Sequence, residues 1–374
     1  MSNCFYGQLG MDKRLRDIVI AGSHDAGITE GGGNAKTQSQ NIYHQAMSGV
    51  RFFDLRIHAR SIGGGRARLS AYHAGGGIIK GKKTVELEGS GETVKVTRSK
   101  LTVGTWGMGL KGMLEQAKQF VTNYKSEFLI FKFDKCSNWS LIADYCIDYL
   151  GDTIFVDQGD INRRTLQDVK GKVIVLFSEK GFAETGHLTY YAARGIKKWR
   201  NVYDKENGPK AYDSRFDGLQ YSGKGGTTLN PFKMKWTMKG KIKDNEKTQL
   251  KRMKPMIEAN GVMSHSSDVL GMMYWTSTGY FENIQKRNTK MWEGANVDRM
   301  KGLWEGGLYD SIRERSEHNR IKRTNYASGP QLKAFIPNII MMDFANDTQC
   351  TIVYDLNTIA STALVDMLAG HEDD

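Results

Sequence analysis

Ile18-Val-Ile-Ala-Gly-Ser-His24-Asp25 is a short run of β-branched and small apolar residues that halts at Gly22 and delivers two ionisable side chains. Such runs favour strands, and the glycine marks where one stops. The same arrangement recurs. Gly49-Val-Arg-Phe-Phe-Asp54-Leu-Arg56 alternates, with Val50, Phe52, Asp54 and Arg56 on one face and Phe53, Leu55 and Ile57 on the other. Leu69-Ser-Ala-Tyr-His73 ends in a second histidine. Together with residues 17–21, further strand-like runs at 128–133, 172–177, 201–204, 269–276 and 338–344 bring the total to eight. Helical periodicity fills 110–124 and 138–150, and a closing helix is expected over 358–368, capped by Asn357. Alternation of this kind predicts an α/β fold, a (β/α)8 TIM-type barrel with room for distortion or incomplete closure. Stretches near 61–105, 206–261 and 282–330 lack the apolar periodicity of separate domains and read as insertions in a single domain spanning 1–374. No internal repeat is evident.

Composition narrows the class. The chain has 374 residues, 39% of them hydrophobic, and a formal charge of +12; its mean hydropathy is −0.50. That suits a soluble globular protein with a substantial core. Residues 233–254 hold nine basic and two acidic side chains and therefore supply +7. A solvated lysine-rich surface would explain this, and so would attraction to phosphate-bearing partners, an anionic membrane or a nucleic acid. No DNA- or RNA-binding motif accompanies the charge, so nucleic acid is not expected. Cys4, Cys136, Cys146 and Cys350 show no metal-type spacing and require no oxidising compartment. The first residues lack a signal peptide's basic segment and apolar core, and no apolar run reaches the roughly 18–20 residues of a spanning helix. A cytoplasmic start is expected, with delivery by a route that reads no N-terminal signal left open. Oligomeric state is not readable.

In a barrel, catalytic groups gather where strands end. His24, Arg56, His73, Asp134 and Asp343 each stand at or near the end of an expected strand, so five ionisable groups should converge on one rim. Two imidazoles, which titrate near neutrality, and a guanidinium are the parts for cleaving a phosphodiester. His44, His58, His187, His265, His318 and His371 have no such pattern. Gly31-Gly-Gly33 and Gly63-Gly-Gly65 lack the spacing of a phosphate loop and read as turns.

Gly22-Ser-His24-Asp25-Ala26, the segment Gly49 to Arg56, and Tyr72-His73 resemble, in order, three motifs of the bacterial-type phosphatidylinositol-specific phospholipase C X-domain family. The third departs from the family by having Ala74 where a glycine is usual. The likeness is sharp over about residues 18–75 and looser at 126–130, 275–279 and 340–344. It implies that His24 takes the proton of the inositol 2-hydroxyl, that His73 with Asp25 protonates the departing diacylglycerol oxygen, and that Arg56 holds the phosphate. Asp343 would orient His24. The products would be diacylglycerol and a cyclic inositol phosphate, and the lipid partner phosphatidylinositol or a relative in an anionic membrane.

The resemblance also bears on metal. Calcium-dependent relatives carry a carboxylate where Arg56 stands, so neither metal nor other cofactor is expected. Calcium is the alternative, because Asp25, Asp54 and Asp134 would make a hard-oxygen set; otherwise Asp134 pairs with Arg56 or Lys135. Asp54, Asp134, Asp204, Lys132 and Lys180 are candidate substrate contacts. Trp236, Tyr274, Trp275 and Tyr280 are candidate rim aromatics, with Trp236 inside the basic stretch the best placed for a membrane. Two other classes compete: a glycerophosphodiesterase- or sphingomyelinase D-like barrel, which needs acidic metal ligands, and a catalytically silent module that binds anionic membranes or inositol phosphates.

Overall fold

The computed structural model describes residues 4–74, 78–88, 91–99, 104–204, 208–209, 212–223, 245, 249, 269–276, 283–301 and 337–369. Its centre is a closed barrel of eight strands: β1 (Ile20–Ser23), β2 (Val50–Leu55), β8 (Leu129–Phe133), β9 (Val173–Ser178), β10 (Ile196–Asn201), β13 (Gly218–Gly223), β14 (Leu270–Tyr274) and β15 (Pro337–Met342). All eight pair in parallel, and β1 bonds to both β2 and β15, so no gap remains. The barrel is therefore complete, without the incomplete closure for which the sequence left room.

Strand alternation divides the core in two. Ile20, Phe52, Ile130, Ile174, Leu176, Leu219, Met272 and Met341 fill the interior. Phe53, Leu55, Phe131, Phe133, Val175 and Phe177 face outward onto helices. Phe52 and Phe53 thus divide as the alternation predicts, but Val50 joins the outer set, where the β1/β2 register slips between Ala21 and Gly22. Helix α1 (Ile42–Ser48) starts at Asn41, whose side chain accepts the His44 N–H, and stops at Gly49 with φ 118°. Helix α2 (Leu110–Asn123) buries Leu110, Met113, Leu114, Ala117, Phe120 and Val121, one apolar stripe at helical spacing. Helix α3 (Trp139–Leu150) ends at Gly151. No helix among the described residues is long and apolar enough to cross a membrane.

Four expectations change. The strand over 69–73 does not enter the barrel. It belongs to β4 (Arg66–Ala74) in a lateral sheet with β3 (Ile57–Gly63), β5 (Ile78–Leu87), β6 (Thr93–Ser99) and β7 (Gly104–Gly109). This sheet begins right after β2, because β3 turns back through Gly63, Gly64 and Gly65, all at positive φ, to pair antiparallel with β4. The missing barrel strand is β13, inside the stretch read as a basic insertion. It has only Leu219 and Tyr221 as large apolar residues and glycine at both ends, too few to stand out. Residues 201–204 are the end of β10 and a two-residue strand, β11 (Tyr203–Asp204), which pairs with β12 (Gly208–Pro209). The closing helix is Asp347–Ala369, and Asn357 lies within it rather than at its cap. Its buried amide accepts from Val19 N at 2.8 Å and donates to Val19 O at 2.9 Å, riveting the helix to the approach to β1.

Candidate active site

Parallel closure puts every strand's C-terminal end on one rim. His24 and Asp25 follow β1, Asp54 and Arg56 lie at the end of β2, Lys132 and Asp134 at the end of β8, and Asp343 follows β15. His73 arrives from outside, near the end of β4. The lateral sheet is docked on the β1 loop closely enough to deliver it. Met108 N donates to Gly27 O at 2.9 Å and Tyr72 N to Arg56 O at 2.9 Å. Two glycines permit this approach: a Cβ on Gly27 would lie 2.6 Å from the Ala71 Cβ, and one on Gly107 would run into the Gly27 carbonyl.

The side chains form one connected cluster. His24 Nδ1 lies 2.9 Å from Asp343 Oδ1, and its Nε2 is 3.5 Å from Asp25 Oδ2. His73 Nδ1 is 2.7 Å from the same Asp25 oxygen. The other oxygen of Asp25 is 2.9 Å from Arg56 Nε, a charge contact, since the N–H is not aligned on it. Asp25 therefore touches both imidazoles and the guanidinium. It holds φ 45°, unusual for a residue with a Cβ. The conformation is fixed by its carbonyl, which accepts from Thr37 Oγ1 at 2.9 Å and from Ile28 N at 3.0 Å.

Burial would discharge His24, but the Asp25 and Asp343 carboxylates outweigh it and hold the imidazole pKa up to about 9. Burial would raise Asp25 too, yet Arg56 and the two histidines keep it well below the usual carboxylate range. Arg56 also stands 3.9 Å from Asp54. Asp54 accepts from Lys132 Nζ at 2.8 Å, and its pKa is lowered because Lys132 and Arg56 more than offset burial. Lys132 is buried inside the barrel with its ammonium 4.4 Å from the centre of the Trp199 ring, a desolvated cation held by a carboxylate and an aromatic face.

Asp134 lies 3.7 Å from Lys132, its ion-pair partner among the described residues in place of the expected Arg56 or Lys135, and its charge acts on Arg56 only from farther off. β8 explains the difference: Lys132 and Asp134 share a face two residues apart. Lys180 is exposed on the short helix Glu179–Ala183 and makes no ion pair with the cluster among the described residues. Asp204 lies in β11, and its side chain is outside the described part. Trp275 is a core residue, fully buried with its indole donating to Met291 O at 2.9 Å. Its neighbour Tyr274 faces the site instead, edge-on to His24 with ring centres 5.9 Å apart. Trp236, Tyr280 and nearly all of 233–254 lie outside the described residues.

Gln38 and the Trp199 and Tyr221 rings around Lys132 escape a reading of the sequence. Gln38 is fully buried; its amide donates to His24 O at 2.9 Å and to Met342 O at 3.2 Å, and accepts from Ala345 N at 3.0 Å. It binds the two loops carrying His24 and Asp343 together. Nothing in Thr37-Gln-Ser-Gln signals that. For Trp199 the alternation along β10 was the available clue.

His24, Asp25 and Asp54 have ligand atoms close enough to share a metal ion. The charges beside them do not fit calcium, which takes about six to eight oxygen ligands. Asp25 is already faced by Arg56 at 2.9 Å and Asp54 by Lys132 at 2.8 Å. Two fixed cations occupy the carboxylates a third would need.

No family model matches the chain, and no curated protein matches it. Among solved structures it is similar to the phosphatidylinositol-specific phospholipase C of Listeria monocytogenes, at 15% identity over 94% of this chain and 97% of that one, with a TM-score of 0.47. A mutant of the corresponding Staphylococcus aureus enzyme gives 15% identity, 93% and 96% coverage, and a TM-score of 0.44.

Proposed function

We propose that this chain cleaves the phosphodiester of phosphatidylinositol-type lipids without a metal, by intramolecular attack of the inositol 2-hydroxyl. The observation that carries the reading is the Asp25 carboxylate, which contacts His24, His73 and Arg56 at once at the barrel mouth. His24, with Nδ1 on Asp343, presents Nε2 as general base to the 2-hydroxyl. That oxygen bonds to phosphorus as the diacylglycerol oxygen leaves, and His73, held through Nδ1 by Asp25, gives the leaving oxygen its proton. Arg56 neutralises charge on the phosphate oxygens as it grows in the transition state. Because the nucleophile belongs to the substrate, proximity supplies much of the rate, and the products are diacylglycerol and a cyclic inositol phosphate. Lys132, Asp54 and Asp134 line the barrel side of the site, where ring hydroxyls would bind. Peripheral attachment to an anionic surface through residues 233–254 completes the reading.

The test is turnover of phosphatidylinositol vesicles in excess EDTA, with phosphorus NMR of the water-soluble product. A cyclic phosphate is expected, and His24→Ala and His73→Ala should each abolish it while leaving vesicle binding intact. Activity that vanishes in EDTA and returns with calcium would overturn the metal-free mechanism. Absence of product under both conditions would remove phosphatidylinositol as the substrate.

A further inference from the structure

The lateral sheet has a second, outward face. On β3 and β4, Ile57, Ala59, Ala67, Leu69 and Ala71 are buried in the outer core. Alternation therefore leaves Arg60, Arg66, Arg68 and Ser70 on the opposite side. A cavity of about 610 Å³ opens there, with the three arginines and Ser70, Gly107 and Gly109 among its lining. Arg60 and Arg68 are direct cross-strand partners, an opposition of like charges that costs stability unless something neutralises it. Arg68 is satisfied by Glu88, Nε to Oε2 at 2.7 Å. Arg60 lies over the Trp106 ring, 5.8 Å from its centre, and makes no ion pair among the described residues, whereas Arg66 stands opposite Glu86 on β5 and helps to hold the Glu88 carboxyl below its usual range. Among the described residues the lining holds the acids Glu30 and Glu88, so three guanidiniums meet two carboxylates there, with Glu86 beside Arg66.

We propose that this cavity is a second anion site that takes a phosphate group. Arg60, with no ion-pair partner among the described residues, and two further guanidiniums in the same lining are the chemistry that recognises phosphate oxygens. The site is separate from Arg56 and does not depend on the diesterase reading. It lies on the reverse face of the strand that carries His73. There, Tyr72 stacks on Trp106 with ring centres 4.3 Å apart, and Trp106 in turn supports Arg60. The phosphate can belong to a lipid headgroup or to a free phosphorylated molecule.

Calorimetric titration of the full chain with inorganic pyrophosphate tests it, comparing the wild type with R60Q/R66Q and with R56Q. One binding event should weaken at least about tenfold in R60Q/R66Q, the scale of losing charge-assisted hydrogen bonds, and persist in R56Q. I62E places a negative charge on a residue 36% exposed at the cavity wall and should weaken the same event without touching the core. Flotation with phosphatidylcholine vesicles, with and without phosphatidic acid, separates the two sources. Reduced retention of R60Q/R66Q on the acidic vesicles identifies a headgroup, and retention equal to wild type alongside lost pyrophosphate binding identifies a soluble phosphate. Pyrophosphate binding by both R60Q/R66Q and I62E at wild-type strength would overturn the proposal.

Discussion

His24 carries opposing demands. A general base must be neutral, yet two carboxylates hold this imidazole's pKa at about 9. If it is the base, kcat/KM should climb about tenfold per pH unit through neutrality and level off only near 9. A rising limb centred near 6.5 would assign the base elsewhere. Asp343→Asn removes the negative charge that faces Nδ1, so the limb should move to lower pH while kcat falls about 10²–10⁴-fold. The same shift has a stability sign. The pKa is raised from 6.5 to about 9, so the charged form stabilises the fold by about 3 kcal/mol below pH 6.5, and this is lost as pH rises through 9. Urea unfolding at the two ends of that range should show the loss, and His24→Asn should flatten it. His24, Asp25, Arg56, His73 and Asp343 were legible because each follows a short apolar run, a signal confined to a few neighbouring residues. Gln38 was not, since its value lies in joining backbones about 300 residues apart in sequence.

At the scale of elements, β2 carries a structural pair as well as functional groups. Arg51 donates to Glu127 at 2.6 and 2.9 Å in full burial, and Glu127 also accepts from Tyr6 N and Gly7 N. Removing one partner strands the other charge, so Arg51→Ala should cost about 3–5 kcal/mol in chemical denaturation. Because Arg51 is far along β2 from the rim, activity per folded molecule should hold. Gly107→Ala makes the complementary case. A methyl there would run into the Gly27 carbonyl and lever β7 off the β1 loop, so turnover should fall more than stability does. Six of the barrel strands were visible as apolar runs. β13 was hidden by its polar composition, and β4 was misassigned because a strand's sequence does not say which sheet it joins.

Over the whole molecule, the proposed base and acid belong to different bodies of structure, His24 to the barrel and His73 to the lateral sheet, and both rings contact Asp25. Alternation of strands and helices made the barrel readable, whereas the lateral sheet joins two local hairpins, β3–β4 and β5–β6, through the longer-range β4–β5 and β4–β7 pairings that no local pattern dictates. The division between the two bodies also separates two chemical requirements. A glycerol alkoxide is a poor leaving group and cannot depart without a proton, but a nitrophenolate can. A chain with the lateral sheet's histidine removed, His73→Ala, should therefore fail on lipid and still release nitrophenol from an inositol nitrophenyl phosphate, while His24→Ala should fail on both. On this reading the barrel alone is an enzyme for activated esters, and the sheet beside it extends the chemistry to the unactivated esters of a bilayer.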